Sequence, residues 1–176
     1  AGESVPLRDV LYGVMVPSGA EACRLVARTV GGTEAGFVEK MNQRAAELGM
    51  EHTKFLNSSG LRIDGKSTET TAHDLLLLFK EAVKHQEFRQ IAGTHMWTTT
   101  QTEQHPEGIT LISTFTWKFN SDPRHKVRII AGKSGFSGEE QTLATLSEIK
   151  NHEIIVITLG AKAENGQDAI AVSDHV

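Results

Sequence analysis

Lys133, Ser134 and Gly135 follow the run Val127-Arg128-Ile129-Ile130-Ala131-Gly132 and precede Phe136-Ser137-Gly138. A β-branched run followed by a glycine-rich turn reads as a strand that delivers a cation and a hydroxyl to its end. Placed on one rim, the two would form a cationic, hydrogen-bonding site for a carboxylate, and the glycine would let a ligand approach the backbone closely. Alone, the tripeptide also reads as an ordinary strand end. Ser18 is a second hydroxyl of interest. It lies in Val16-Pro17-Ser18-Gly19, a break between two apolar helical stretches, and by itself reads as a capping serine. The chain has one cysteine, Cys23, within Ala22-Cys23-Arg24-Leu25-Val26. One cysteine excludes an internal disulfide and any multi-cysteine metal site, and this setting reads as a buried structural thiol. There are eight histidines. His73, His85, His95, His105 and His125 fall on different predicted elements, and neither His-x-x-x-His nor His-Glu-x-x-His occurs. That spacing argues against a metallopeptidase, and no metal is expected.

These residues must be positioned by a modest framework. The chain has 176 residues and a formal net charge of −4, which suits one domain, or one domain plus a lobe. Such a balance gives no reason to propose nucleic acid or an anionic membrane as partner. No apolar run approaches the ~20 residues that cross a bilayer. The chain begins at Ala1 with no signal-peptide pattern, so processing or a fragment boundary is expected there.

Leu7 to Val16 reads as an apolar helix with Ser4 as its cap and Pro6 near the first turn. A second helix is predicted from Ala20 to Thr29, ended by Gly31-Gly32. A third spans Thr33 to Leu48, with Phe37, Val38, Met41, Ala45 and Leu48 as an apolar stripe. A short extended piece, Thr53 to Leu56, and a polar loop through Asn57 to Ser67 lead to a fourth helix, Ala72 to His85, capped by Thr70 or Thr71. A short helix from Glu87 to Ala92 follows. After Gly93 the character changes. Met96 to Gln101 and Ile109 to Thr116 read as strands of a hairpin, and Asn120-Ser121-Asp122-Pro123 as a turn. Further strands are predicted at Lys126–Ala131, Thr142–Ile149 and Glu153–Leu159, with Asn151-His152 joining the last two. A closing helix is predicted from Gln167 to His175. Helices followed by mostly antiparallel strands make an α+β arrangement. It divides into a mainly helical lobe, residues 1–93, and a strand-rich part, residues 94–176.

Several blocks, in order, resemble the serine-type D-alanyl-D-alanine carboxypeptidases, the low-molecular-weight penicillin-binding proteins of the peptidase S11 type. They are Ala1-Gly2-Glu3 through Leu7-Arg8-Asp9-Val10-Leu11-Tyr12-Gly13 with Val16-Pro17-Ser18-Gly19; Phe37-Val38-Glu39-Lys40-Met41-Asn42 with Leu48-Gly49-Met50, Thr53-Lys54-Phe55-Leu56-Asn57 and Gly60-Leu61; Thr70-Thr71-Ala72-His73-Asp74-Leu75 with Glu87-Phe88-Arg89-Gln90-Ile91; Gly132-Lys133-Ser134-Gly135-Phe136-Ser137; and Ile154 to Gly160. The match covers nearly the whole chain and implies part of a β-lactamase/transpeptidase-like fold. Lys133-Ser134-Gly135 stands where that family has Lys-Thr-Gly, with the hydroxyl kept.

Two departures stand out. The family's Ser-x-x-Lys, which carries the acylated serine and its lysine, lies upstream of the block that begins here at Ala1. The one Ser-x-x-Lys present, Ser147-Glu148-Ile149-Lys150, falls after Lys133 at a predicted hairpin. A strand would not bring its lysine against its serine as one helical turn does. In the second departure, Ser18-Gly19-Ala20 replaces Ser-x-Asn, so the hydroxyl is kept and the amide is lost.

The resemblance implies acyl transfer on peptidoglycan stem peptides ending in D-Ala-D-Ala, with no metal or organic cofactor and with β-lactams as inhibitors of the intact enzyme. It implies that Ser18 and Lys133 act in catalysis, as a proton relay at the leaving nitrogen. Ser134 and Ser137 would bind the terminal carboxylate beside Gly135, and the Phe136 N–H would be one oxyanion donor. The nucleophile and its lysine are absent, so the expected unit is a half-site within a longer precursor, or one that pairs with a second chain. Its place of work would be extracytoplasmic. A non-catalytic module that binds peptidoglycan peptides is the alternative, and a structural domain sharing only the fold is a further one. Trp97 and Trp117 read as packing residues, Glu139-Glu140 as a solvated pair, and Arg62 and Asp64 as residues that order the polar loop.

Overall fold

Helices form where apolar residues recur every three to four positions, and strands where β-branched residues take over. The computed structural model of the chain describes residues 2–114, 127–136 and 140–162. Five helices come first: α1 (Leu7–Met15), α2 (Ala20–Gly31), α3 (Glu34–Glu47), α4 (Ala72–Ala82) and α5 (Gln86–Ala92). Strands β1 (Met96–Thr98) and β2 (Thr110–Ile112) pair as an antiparallel ribbon. Strands β3 (Arg128–Phe136), β4 (Glu140–Ile149) and β5 (His152–Lys162) form an antiparallel sheet in the order β3-β4-β5. The α+β arrangement expected from the sequence is the one observed. The segment carrying Trp117, the 120–123 turn and His125, together with Ser137, Glu139 and the 167–175 helix, lies outside the described residues.

Local chemistry sets the helix ends. The Thr33 hydroxyl accepts the Gly36 N–H at 3.0 Å and caps α3. Thr71, not Thr70, caps α4, accepting the Asp74 N–H at 3.1 Å. Ser4 does not cap α1. The helix starts at Leu7, out of its reach, and Pro6 occupies the cap position with no side-chain bond. α4 stops at Ala82 rather than His85, because Lys84 and His85 turn their N–H groups to Glu81 and Ala82. His85 then becomes the cap position of α5.

The core lies where α4 and α5 meet the sheet. Phe79, Val83 and Ala92 pack with Ala131 of β3 and Leu146 of β4, and Met15 and Phe88 join them. Gly93 ends α5 directly against β3, where a Cβ would collide with the Ile130 carbonyl. The ribbon is fastened to α1. Trp97 stacks on Tyr12 with ring centroids 3.8 Å apart, and its indole N–H donates to Asp9 Oδ1 at 2.8 Å. The Thr100 N–H donates to Asp9 Oδ2 at 2.8 Å. Burial opposes ionisation of Asp9, but the Thr100 and Trp97 bonds outweigh it and hold the carboxyl below its ordinary range. Trp97→Phe keeps the stack and orphans one carboxylate oxygen. It should cost about 1–3 kcal/mol in a urea unfolding titration; an unchanged midpoint would count against the bond.

Several strand expectations need correction. β1 stops at Thr98 rather than Gln101, and β2 runs only from Thr110 to Ile112, short of the expected Ile109 to Thr116. β3 runs to Phe136 rather than stopping at Ala131, because β4 pairs with it through Phe136↔Gln141. Lys133-Ser134-Gly135 is therefore inside the strand. The β4–β5 turn is Lys150-Asn151, with φ of 48° and 66°, as a two-residue hairpin loop with both residues left-handed requires. His152 is already in β5, paired with Ile149. Ser147 is thus a strand residue and Lys150 a turn residue, so this Ser-x-x-Lys has no helical turn to close it.

Candidate functional site

The break between α1 and α2 presents Ser18 by a sharp reversal. Gly19 passes so close to α1 that its N–H donates to the Gly13 carbonyl at 2.9 Å, and a Cβ there would press on that same oxygen. Ser18 takes up the reversal with a left-handed φ of 60° and stays exposed. It is not the cap of α2, as a lone reading of the sequence would have it; Gly19 holds that position.

Lys133 reaches Ser18 from the sheet. Side chains alternate along a strand, so Lys133 shares a face with Ala131, which is fully buried in the core. Its Nζ donates to Ser18 Oγ at 2.7 Å and to the Ser134 carbonyl at 2.6 Å. Burial pushes the Lys133 ammonium below the usual lysine range, against an opposing pull from Cys23. The amine is therefore easier to deprotonate than one in water, and it rests on a hydroxyl. That combination can pass a proton.

Ser134 turns its hydroxyl the other way, where Thr114 Oγ1 lies 2.9 Å from Ser134 Oγ. Gly135 and Phe136 continue along β3 and are exposed, Phe136 at 69%. The structure thus brings Ser18, Lys133 and Ser134 together, with Gly135 and Phe136 on the same strand. Ser137 falls outside the described residues. Among the described residues, no three histidine, cysteine, aspartate or glutamate side chains converge as a metal site would require.

Sequence reasoning missed Thr114 here and read Cys23 only as a buried structural thiol. Cys23 is half-buried and electrostatically coupled to Lys133. Burial pushes its thiol up, and the lysine charge works against that rise. The signal was available, since Cys23 lies one helical turn beyond Ala20. Thr114 gave no local signal.

Solved structures similar to this chain include penicillin-binding proteins and a DD-transpeptidase. A variant of the Streptomyces K15 DD-transpeptidase superposes on 98% of this chain, and on 67% of its own, with a TM-score of 0.83 at 24% identity, which speaks to fold alone. Penicillin-binding protein D2 of Listeria monocytogenes, in an ampicillin-bound form, covers 97% of this chain and is itself 66% covered, with a TM-score of 0.77 at 26% identity. The chain belongs to the D-alanyl-D-alanine carboxypeptidase family, peptidase S11, whose model matches residues 1–163. It is 28% identical over 174 residues to D-alanyl-D-alanine carboxypeptidase DacF of Bacillus subtilis. That match takes in 96% of this chain and 41% of the relative, so the chain spans less than half of DacF's length.

Proposed function

We propose that residues 1–176 supply the substrate-binding and proton-relay half of a D-alanyl-D-alanine carboxypeptidase site. The observation that carries this reading is the 2.7 Å contact from half-buried Lys133 on β3 to Ser18 between α1 and α2. The substrate is a peptidoglycan stem peptide ending in D-Ala-D-Ala, met outside the cytoplasm. A serine from outside residues 1–176 gives its proton to its own lysine partner and attacks the carbonyl between the two D-alanines. The Phe136 N–H helps hold the oxyanion. Ser18 hands a proton to the leaving nitrogen, and Lys133 replenishes it and keeps positive potential beside it. Ser134 and Ser137 bind the terminal carboxylate. Water then hydrolyses the acyl-enzyme, and β-lactams inhibit by mimicking the terminal dipeptide. A second reading, a peptidoglycan-peptide binding module without turnover, draws support from Ala20. Its methyl stands where the family's motif has an amide.

Intact-mass spectrometry after incubation with benzylpenicillin tests the proposal. Residues 1–176 alone should take no adduct, and a chain extended upstream of Ala1 should take one. An adduct on residues 1–176, mapped to Ser18 or Ser147, would overturn the half-site. Silence from the extended chain would favour the binding module.

A further inference from the structure

Thr114 follows β2 and touches both halves of the site. Its N–H donates to the Val16 carbonyl at 3.2 Å, two residues before Ser18. Its hydroxyl is 2.9 Å from the Ser134 hydroxyl. The contacts close a ring: Val16 leads covalently to Ser18, Lys133 Nζ joins Ser18 Oγ to the Ser134 carbonyl, and Thr114 joins Ser134 back to Val16. Thr114 is exposed and Ser134 half-buried, so this pair sits at the mouth of the site.

Two hydroxyls at this distance share one hydrogen, and the arrangement fixes where the other can point. If Ser134 donates to Thr114, its proton is spent. If Thr114 donates to Ser134, the serine proton is released toward a ligand and strengthened as a donor by the bond it accepts. A terminal carboxylate, which only accepts, favours the second arrangement. A terminal amide, which also donates, gains less from it.

We propose that Thr114 is a positioning residue that aims the Ser134 hydroxyl and so sets selectivity for ligands ending in a free carboxylate. This rests on the proposed carboxypeptidase half-site. The test titrates residues 1–176 by NMR with N-acetyl-D-alanyl-D-alanine and with its C-terminal amide. Variants are Thr114→Val, Thr114→Ser, Ser134→Ala and the Thr114→Val/Ser134→Ala pair. All keep the backbone N–H to Val16.

The unsubstituted chain should prefer the acid by about tenfold, the scale of a hydrogen bond to a charged group. Thr114→Val should cut that preference to about threefold or less by weakening the acid alone, and Thr114→Ser should restore it. In the Ser134→Ala background, Thr114→Val should change nothing further. Should the valine variant melt early, Thr114→Ala serves in its place. An unaltered preference in Thr114→Val, or losses that multiply independently of Ser134, would overturn the positioning role while leaving the half-site intact. An unsubstituted chain that does not distinguish acid from amide would sink the half-site and this inference with it.

Discussion

Lys133→Met should weaken binding of N-acetyl-D-alanyl-D-alanine by at least about tenfold, the scale of a lost charge-assisted bond, and yet raise the melting temperature. The two effects have one cause. The ammonium is held out of water beside Ala131, and burial destabilises its charged form. Methionine has similar length, needs no solvation and fills the same space. Ser18, left behind, is exposed and can turn to water. The pH dependence follows from the direction of the shift. With the folded-state value below the unfolded one, which is about 10.4, the unfolded chain binds more protons across that interval, so stability rises with pH there. The cost of the buried charge is fully present below the folded-state value and gone above the unfolded one. The advantage of Lys133→Met should therefore be greatest at neutral pH and shrink as pH climbs toward about 10.4. Calorimetry at neutral pH and near pH 10 checks this; a variant that melts lower at both would show the lysine to be a structural tie.

Asp74→Ala should be strongly destabilising. Asp74 is 1% exposed, in the first turn of α4, where a carboxylate meets the helix dipole favourably. Its Oδ2 accepts the His52 N–H at 2.8 Å and the Thr53 hydroxyl at 2.7 Å. Burial works against the ionised form, but the Thr53 and His52 bonds prevail and hold the carboxyl below its usual range. Losing it orphans the His52 N–H, leaves the Thr53 hydroxyl only Thr70 Oγ1 at 2.8 Å, and loosens the loop after α3. A fall in melting temperature on the order of 5–10 °C is expected by differential scanning fluorimetry. Because the folded-state value is lowered, this stabilisation is present above about pH 4 and is lost as pH falls through the lowered value. Asp74→Asn should flatten the acid limb of the stability curve. An acid limb unchanged in Asp74→Asn would assign the acid sensitivity to other carboxylates.

The sequence carried the helices well because their signals are local. Thr33, Thr71 and the Gly31-Gly32 stop each act within one turn. The strand through Lys133-Ser134-Gly135 was read too short because its two glycines and lysine have weak strand preference. Pairing with Thr142, Ala144 and Thr145 holds them extended instead. The Lys150-Asn151 turn was misplaced by one residue because neither member is glycine, the usual mark of a left-handed turn. Lys133 and Ser18 were named from their types and a resemblance, but their contact joins β3 to the break between α1 and α2, 115 residues apart, and no spacing rule gives it. Thr114 was invisible for the same reason: it is an ordinary threonine until the chain brings Val16 and Ser134 to it.

The left-handed backbone at Ser18 has a consequence for how this chain would drift. A non-glycine residue pays about 1 kcal/mol or more for that conformation, and glycine would not. A selection for thermal stability alone should replace Ser18 with glycine early, improving the fold and silencing the hydroxyl in one step. If the proposed half-site holds, the serine at this reversal is a running record of use: a lineage that still handles its ligand keeps it, and one that has stopped has a downhill path to lose it.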